Sequence, residues 1–207
     1  MDRAQQKTQI LFRPMTTGVS LKILGIICSP RAGGNTEILV RKALESAEKE
    51  GAEVETWSIV GKEVKPCDHC GSCIKTGQCP IKDDMQDLYP KMIEAEGIIL
   101  GSPVYFWSVT AQAKLVIDRT YALRRPTSRL EGKIGGAIAV AGRRGEVEAL
   151  TVINNFFLGQ GMTPVGLGVD GRGSEKGDVK KDERALNGAA ELGRRMLELI
   201  RRNTSEK

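Results

Sequence analysis

Four of the chain's five cysteines fall within thirteen residues, as Cys67-x2-Cys70-x2-Cys73-x5-Cys79, and Pro80 follows the last. Thiolates this close can converge on one centre without help from distant segments. Three cysteines at intervals of three suit a loop wrapped round a compact inorganic core, and cluster-binding runs of this kind close on a cysteine followed by proline. Structural zinc sites instead divide their ligands into two pairs a dozen or more residues apart. Cys67, Cys70, Cys73 and Cys79 are therefore expected to ligate a [4Fe–4S] cluster. Zinc or another metal, and an empty or disulfide-bridged thiol loop, are the alternatives. His69, the only histidine, is read as a spacer inside the run. Lys65 and Lys75 are read as solvated surface lysines, with stabilisation of a negative cluster or attraction of an acidic electron carrier as the alternative. Cys28 closes an apolar run and is assigned to the core rather than to a fifth ligand position.

Three further stretches carry chemistry. In Ser29-Pro30-Arg31-Ala32-Gly33-Gly34-Asn35-Thr36, small residues let backbone N–H groups approach an anion at a helix N-terminus. Ser29, Asn35 and Thr36 add short donors, and Arg31 can pair with a phosphate. The stretch has neither the lysine of a P-loop nor the spacing of a dinucleotide fingerprint. It suits a terminal phosphate such as that of FMN, with a plain helix cap as the bland reading. Pro103-Val104-Tyr105-Phe106, followed by Trp107, places three consecutive aromatics in a chain with only 4% aromatic residues. They can wall a flat heteroaromatic ring, or simply anchor a loop or a subunit contact. Ala141-Gly142-Arg143-Arg144-Gly145 has the flexibility and charge to complete a pocket, or to be a surface turn.

The elements that must position these stretches alternate. Short apolar runs at Leu21–Cys28, Ala52–Val60, Gly97–Ser102, Lys133–Ala141 and Met162–Val169 suit strands buried on both faces. Helical stripes follow them at 35–50, 83–95, 110–122, 146–159 and 182–202. Five strands alternating with five helices describe an α/β doubly wound, five-stranded parallel sheet, with order 2-1-3-4-5 expected. In such a sheet ligands bind beyond the carboxyl ends of strands one and three, where the order reverses. Residues 61–82 form a cysteine-rich insertion after strand two, 170–181 a surface connection, and 1–20 an N-terminal extension to a domain spanning 21–207.

With 207 residues and 40% hydrophobic content the chain can build one well-cored domain. Its net charge of +5 forms no nucleic-acid stripe, so no nucleic-acid partner is expected. No apolar stretch approaches a membrane span and no secretion signal is evident, so a soluble, cytoplasmic protein is expected. Clustered thiols fit a reducing compartment.

Cys28-Ser29-Pro30-Arg31 with Gly34-Asn35-Thr36, Pro66-Cys67-x2-Cys70-x2-Cys73, Asp83-Asp84-Met85, Gly101-Ser102-Pro103-Val104-Tyr105-Phe106 and Asp118-Arg119 together resemble the iron–sulfur flavoproteins. These belong to the wider flavodoxin-like, NADPH-dependent FMN reductase group. The resemblance runs from about Leu21 to Arg202. It implies FMN on the three glycine-rich and aromatic turns, a [4Fe–4S] cluster on the four cysteines, and a homodimer or homotetramer. Ser29, Arg31, Asn35 and Thr36 would hold the phosphate; Pro103, Val104, Tyr105 and Phe106 would hold the flavin ring. Ala141, Gly142, Arg143 and Gly145 would close the pocket. Electrons would pass between a ferredoxin-like carrier and a small acceptor such as dioxygen, peroxide or a quinone. The rivals are an NAD(P)H-dependent FMN or quinone reductase without a cluster, and a non-enzymatic redox or metal sensor.

Overall fold

The computed structural model describes residues 21–205; the expected N-terminal extension, 1–20, lies outside the described residues. The elements run β1 (Lys22–Ile27), α1 (Asn35–Lys49), β2 (Glu53–Ser58), α2 (Ser72–Thr76), α3 (Met85–Glu94), β3 (Gly97–Tyr105), β4 (Ser108–Val109), α4 (Ala111–Arg119), α5 (Tyr121–Arg124), β5 (Ile134–Ala141), α6 (Glu146–Gly159), β6 (Thr163–Pro164), β7 (Val169–Arg172) and α7 (Glu183–Ser205). The sheet order is β2-β1-β3-β5-β6, with every pairing along that path parallel. The expected order is thus present, and the fold is flavodoxin-like.

The near-continuous apolar runs of β1, β3 and β5 follow from burial on both faces. Leu24, Ile26, Ile98 and Leu100 pack with Met85, Leu88, Met92, Val116 and Phe157 from α3, α4 and α6. Their neighbours in sequence, Ile23, Ile27 and Ile99, pack with Leu39, Val40, Ala43, Leu192 and Met196 from α1 and α7. The alternation of the strand thus assigns successive residues to two helical layers. Cys28 is fully buried beside the first layer. No helix among the described residues is long and apolar enough to cross a membrane.

Three elements differ in detail from the sequence expectation. The fifth strand, expected over 162–169, is two pieces, β6 and β7, both paired with β5. The chain bends between them at Gly166 and Gly168, which have φ +61° and +109°. A β-carbon on Gly168 would stand 2.6 Å from the carbonyl oxygen of Ala137. The connection 170–181 is therefore not wholly superficial: it holds most of β7, a 3-10 turn over Asp178–Lys181, and the buried Val179. The helix expected over 110–122 divides into α4 and α5 at Thr120, whose hydroxyl donates to the carbonyl of Ile117 at 2.6 Å.

Helices α1 and α7 meet backbone to backbone at Gly193, where a β-carbon would lie 2.0 Å from the Ala43 carbonyl oxygen. Gly193→Ala must push the two helices apart. We expect it to lower stability by about 1–3 kcal/mol, as overpacking does. The check is a reduced urea midpoint with an unchanged absorption spectrum of the folded protein.

Candidate functional site

At the switch point, Ile27 of β1 lies beside Gly101 of β3, and the chain opens there into a cleft of about 240 Å³. Its floor and walls come from four segments: Ser29, Arg31, Gly34, Asn35 and Thr36; Pro103, Val104 and Tyr105; Val140 and Gly142; and Gly173, Ser174 and Lys176. The first turn is internally braced. The Arg31 N–H donates to Ser29 Oγ at 3.2 Å, and the Gly34 N–H to the Arg31 carbonyl at 3.2 Å. The Gly33 N–H donates to Glu37 Oε2 at 2.8 Å, and Arg41 Nε holds the other oxygen of that carboxylate.

Asn35 sits in the cleft wall but its carboxamide is committed elsewhere. Nδ2 donates to the Glu175 carbonyl at 2.8 Å, while Oδ1 accepts from the N–H groups of Gly177 at 2.8 Å and Val179 at 3.4 Å. It thereby clamps the 173–179 loop over the Ser29–Thr36 turn. Arg31 Nη1 adds a bond to the Ser174 carbonyl at 3.1 Å. The loop packs so closely that a β-carbon on Gly173 would meet Asn35 Nδ2 at 2.6 Å, and one on Gly142 would meet Ser174 Oγ at 2.7 Å. This brings Lys176 to the turn, with its ammonium 3.3 Å from where a β-carbon of Gly33 would be. Val140, Gly173, Ser174 and Lys176 were not anticipated. Their one signal is a small-residue run, Gly173-Ser174, leading to a lysine, a composition like that of the first turn.

The aromatic stretch is a hairpin. Val104 pairs with Val109 and Tyr105 with Ser108, so Phe106 and Trp107 form a two-residue turn. Both have positive φ, 45° and 65°, the geometry of a type I′ turn that Asn-Gly ordinarily fills. Holding two bulky residues there costs about 1–3 kcal/mol each, and the base of the hairpin is locked accordingly. Ser102 Oγ accepts from the Thr110 N–H at 3.0 Å; Thr110 Oγ1 donates to the Cys28 carbonyl at 3.0 Å and accepts from the Ala113 N–H at 3.1 Å, capping α4. Gly145 lies under the turn, where a β-carbon would be 3.0 Å from Trp107 Cα. Tyr105 borders the cleft, whereas Phe106 is 99% exposed. Phe106, Ala141, Arg143 and Gly145 are outside the cleft lining: Ala141 is buried in β5, and Arg143 points to solvent.

The four clustered cysteines rim a second, smaller cavity of about 60 Å³, together with Ile74, Ile81, Arg119, Tyr121 and others. All four are free thiols; Cys67 and Cys70 are exposed, Cys73 and Cys79 half-buried. Burial pushes the Cys73 thiol above its ordinary range, and its three thiol neighbours add to that. The loop's path is set by left-handed residues at His69, Gly71 and Gly77, and by an Asp68 carboxylate that accepts from the Cys70 N–H at 3.1 Å. Gln86 Nε2 holds the carbonyls of Cys79 and Ile81.

Arg119, the last residue of α4, ties the loop to the domain. Its guanidinium pairs through both Nη atoms with the Asp83 carboxylate, both side chains having 0% exposure. Nη1 also donates to the Lys65 carbonyl at 2.8 Å, and Nη2 lies 3.4 Å from Cys79 Sγ. Asp83 in turn accepts from the N–H groups of Lys65 at 2.9 Å and Met85 at 3.1 Å. Burial alone would push Asp83 up, but the hydrogen bonds from Arg119 and Lys65 outweigh it and hold the carboxyl below the usual range. Tyr89 donates to the Arg119 carbonyl at 3.0 Å, and burial raises its phenol well above normal.

Among the described residues, no three histidines, cysteines or carboxylates converge as they would on a single metal ion. The four cysteines line one cavity, and the buried Arg119 lies beside Cys79. An all-sulfur donor set of this kind is that of iron–sulfur centres or zinc.

A family model described as NADPH-dependent FMN reductase matches residues 21–169. The chain is 43% identical over 190 residues to an iron–sulfur flavoprotein of Methanocaldococcus jannaschii, covering 87% of this chain and 98% of the relative. It is 37% identical over 188 residues to an iron–sulfur flavoprotein of Methanosarcina thermophila, covering 88% and 98%. Among solved structures, a flavodoxin from the domain Archaea superposes with a TM-score of 0.58 at 18% identity, over 87% of this chain and 99% of that one; this likeness is one of fold.

Removing one partner of the buried pair leaves the other charge uncompensated. Arg119→Met is expected to lower stability by about 3–5 kcal/mol, read from urea unfolding. Arg119→Lys should recover only part, because an ammonium cannot span Asp83, the Lys65 carbonyl and Cys79 together. The folded Asp83 pKa is depressed, so its contribution is complete above the unfolded value of about 3.9 and is lost as pH falls through the folded value. Asp83→Asn should therefore be less stable near neutrality and show a flatter stability profile below about pH 4 than the wild type.

Proposed function

The chain belongs to the NADPH-dependent FMN reductase family and to the iron–sulfur flavoproteins, and we propose that it is a two-centre electron relay. That it is a flavin-dependent oxidoreductase using FMN follows from the family. The proposal extends to where the groups sit and what they exchange electrons with. The observation that carries it is the arrangement of four thiols round one cavity, anchored to the same helix that begins at the cleft.

The FMN phosphate is assigned to the turn Ser29–Thr36, with the N–H groups of the helix N-terminus as donors and Arg31 and Lys176 as its cationic partners. Thr36 and Gly34 form the floor; Asn35 acts by clamping the 173–179 loop. The flavin ring is assigned to the wall made by Pro103, Val104 and Tyr105 and closed by Gly142, with the Phe106 turn, Ala141, Arg143 and Gly145 supporting or flanking it. Cys67, Cys70, Cys73 and Cys79 are assigned to a [4Fe–4S] cluster. When bound, FMN supplies one- or two-electron chemistry and the cluster one-electron chemistry. The protein's part is spacing. Helix α4 starts at Thr110, which is bonded to the Cys28 carbonyl at the cleft, and ends at Arg119 in the cysteine cavity. Its nine residues rise about 14 Å at 1.5 Å each.

The donor is assigned as a ferredoxin-like carrier and the acceptor as a small oxidant such as dioxygen, peroxide or a quinone. A homodimer or homotetramer in a reducing cytoplasm completes the proposal. The family model's own description favours a second reading, direct reduction of the flavin by NAD(P)H.

Purification without oxygen, followed by iron and acid-labile sulfide assays, separates the two. Iron and sulfide near four per chain and bleaching by reduced ferredoxin support the relay; absence of iron with rapid bleaching by NADPH favours the second reading. Cys70→Ala is expected to lose the iron and keep FMN, since Cys70 borders only the cysteine cavity. Loss of both would contradict the separation of the sites. Lys176→Ala is expected to weaken FMN binding about tenfold, or about 1.4 kcal/mol, and to leave riboflavin binding unchanged, as measured by fluorescence quenching.

A further inference from the structure

The whole chain has a formal charge of +5, and two short segments account for all of it. Residues 65–82 and 121–129 hold Lys65, Lys75, Lys82, Arg124, Arg125 and Arg129 against the single carboxylate of Asp68. The remaining 25 basic residues are matched by 25 acidic ones.

These segments form one surface. Arg129 Nη2 donates to the Gly77 carbonyl at 2.6 Å, and a β-carbon on Gly77 would be 3.3 Å from Pro126. Ile74 of α2 and Tyr121 of α5 line the same cavity as the four cysteines, yet they are 50% and 40% exposed. Among the described residues, only Lys65 of the six cations has a carboxylate at ion-pair distance, Glu63 at 3.7 Å. Arg124 bonds the hydroxyl of Ser128, and Arg125 lies over the Tyr121 ring. The fold does not need this concentration of like charge, which is self-repelling. Nor do the thiols call for the exposed ring as their counter-charge, because the buried Arg119 already faces Cys79.

We propose that this face is the docking surface for an acidic one-electron carrier protein, with Ile74 and Tyr121 as its apolar centre and Lys75, Lys82, Arg124 and Arg125 as its basic rim. The inference rests on the cluster assignment made above and adds the place and the chemistry of the encounter. An apolar centre inside a charged rim is the anatomy of a protein interface. Redox encounters are small and transient, below about 1,200 Å² of buried surface, and draw their rate from charge steering. The carrier is oxidised by one electron as the thiolate-bound centre is reduced by one, and no bond is made or broken. A nucleic acid also binds cations, but phosphates favour a continuous basic stripe, whereas here Lys75 follows Ile74 in sequence and Arg125 lies over Tyr121, two residues that line the thiol cavity.

The test is stopped-flow reduction of the anaerobically purified holoprotein by a reduced acidic ferredoxin, at low and at near-physiological salt, with dithionite as a small reductant in parallel. For the wild type we expect the second-order rate with ferredoxin to fall about tenfold or more as salt rises. The triple variant Lys75→Glu, Arg124→Glu, Arg125→Glu should be slowed at least about tenfold at low salt and lose that salt dependence. Its iron content and dithionite rate should stay unchanged. Reversals on the far layer, Lys180→Glu and Arg195→Glu, should alter the rate less than about twofold. If the triple variant loses iron, the three single reversals are read in the same way. Iron present in the wild type, with a ferredoxin rate indifferent to salt and to the reversals, overturns the docking surface alone. No iron in the wild type overturns the cluster assignment and the docking role with it. Wild-type retention on single-stranded DNA, lost in the triple variant while ferredoxin rates stay equal, would assign the patch to nucleic acid and overturn the proposal.

Discussion

The buried pair between Arg119 and Asp83 is the constraint on which the cysteine lobe depends. Residues 61–82 contribute little apolar core of their own; Val64 is their one buried hydrophobe. The lobe is held by polar contacts that converge on one guanidinium: Asp83 at the end of the loop, the Lys65 carbonyl at its start, and Cys79 between. Burying two charges is expensive unless their hydrogen-bonding groups are also satisfied. Here Asp83 is saturated by backbone N–H groups as well as by Arg119, while Arg119 Nε has no partner. The pair is thus a costly device retained for position: it sets the cysteine loop against the end of α4, whose other end is bonded through Thr110 to the Cys28 carbonyl beside the cleft.

The cleft obeys the same logic of rigid parts braced from behind. Asn35 spends its whole carboxamide on the 173–179 loop, and that loop carries Lys176 to the Ser29–Thr36 turn. The aromatic hairpin holds two left-handed residues, Phe106 and Trp107, because Ser102, Thr110 and Gly145 leave its base no freedom. One segment lines the cleft while another braces it, and Phe106 at the hairpin tip is outside the cleft lining.

Much of this was legible in the sequence, for identifiable reasons. β1, β3 and β5 are buried on both faces, and such strands announce themselves as unbroken apolar runs; the order of the sheet followed from their alternation with helices. The cysteine spacing alone located the second cavity. The split of the last strand was hidden because Gly166 and Gly168 supply the bend without interrupting the apolar pattern around them. The Phe106-Trp107 turn was illegible because its residues contradict ordinary turn chemistry, and only tertiary contacts impose it. Lys176 is distant in sequence from the turn it serves, and Arg119 and Asp83 could be noticed as motif residues without revealing that they pair. Long-range polar contacts leave no periodicity behind.

The central claim is that one chain carries two redox centres of different electron capacity. It is tested most directly by anaerobic reductive titration of the purified protein with a quantified reductant, followed by absorption. An FMN and a [4Fe–4S] cluster on the same chain require about three electron equivalents per chain for full reduction. An endpoint at about two equivalents, with all of the bleaching in the flavin bands, would contradict the account.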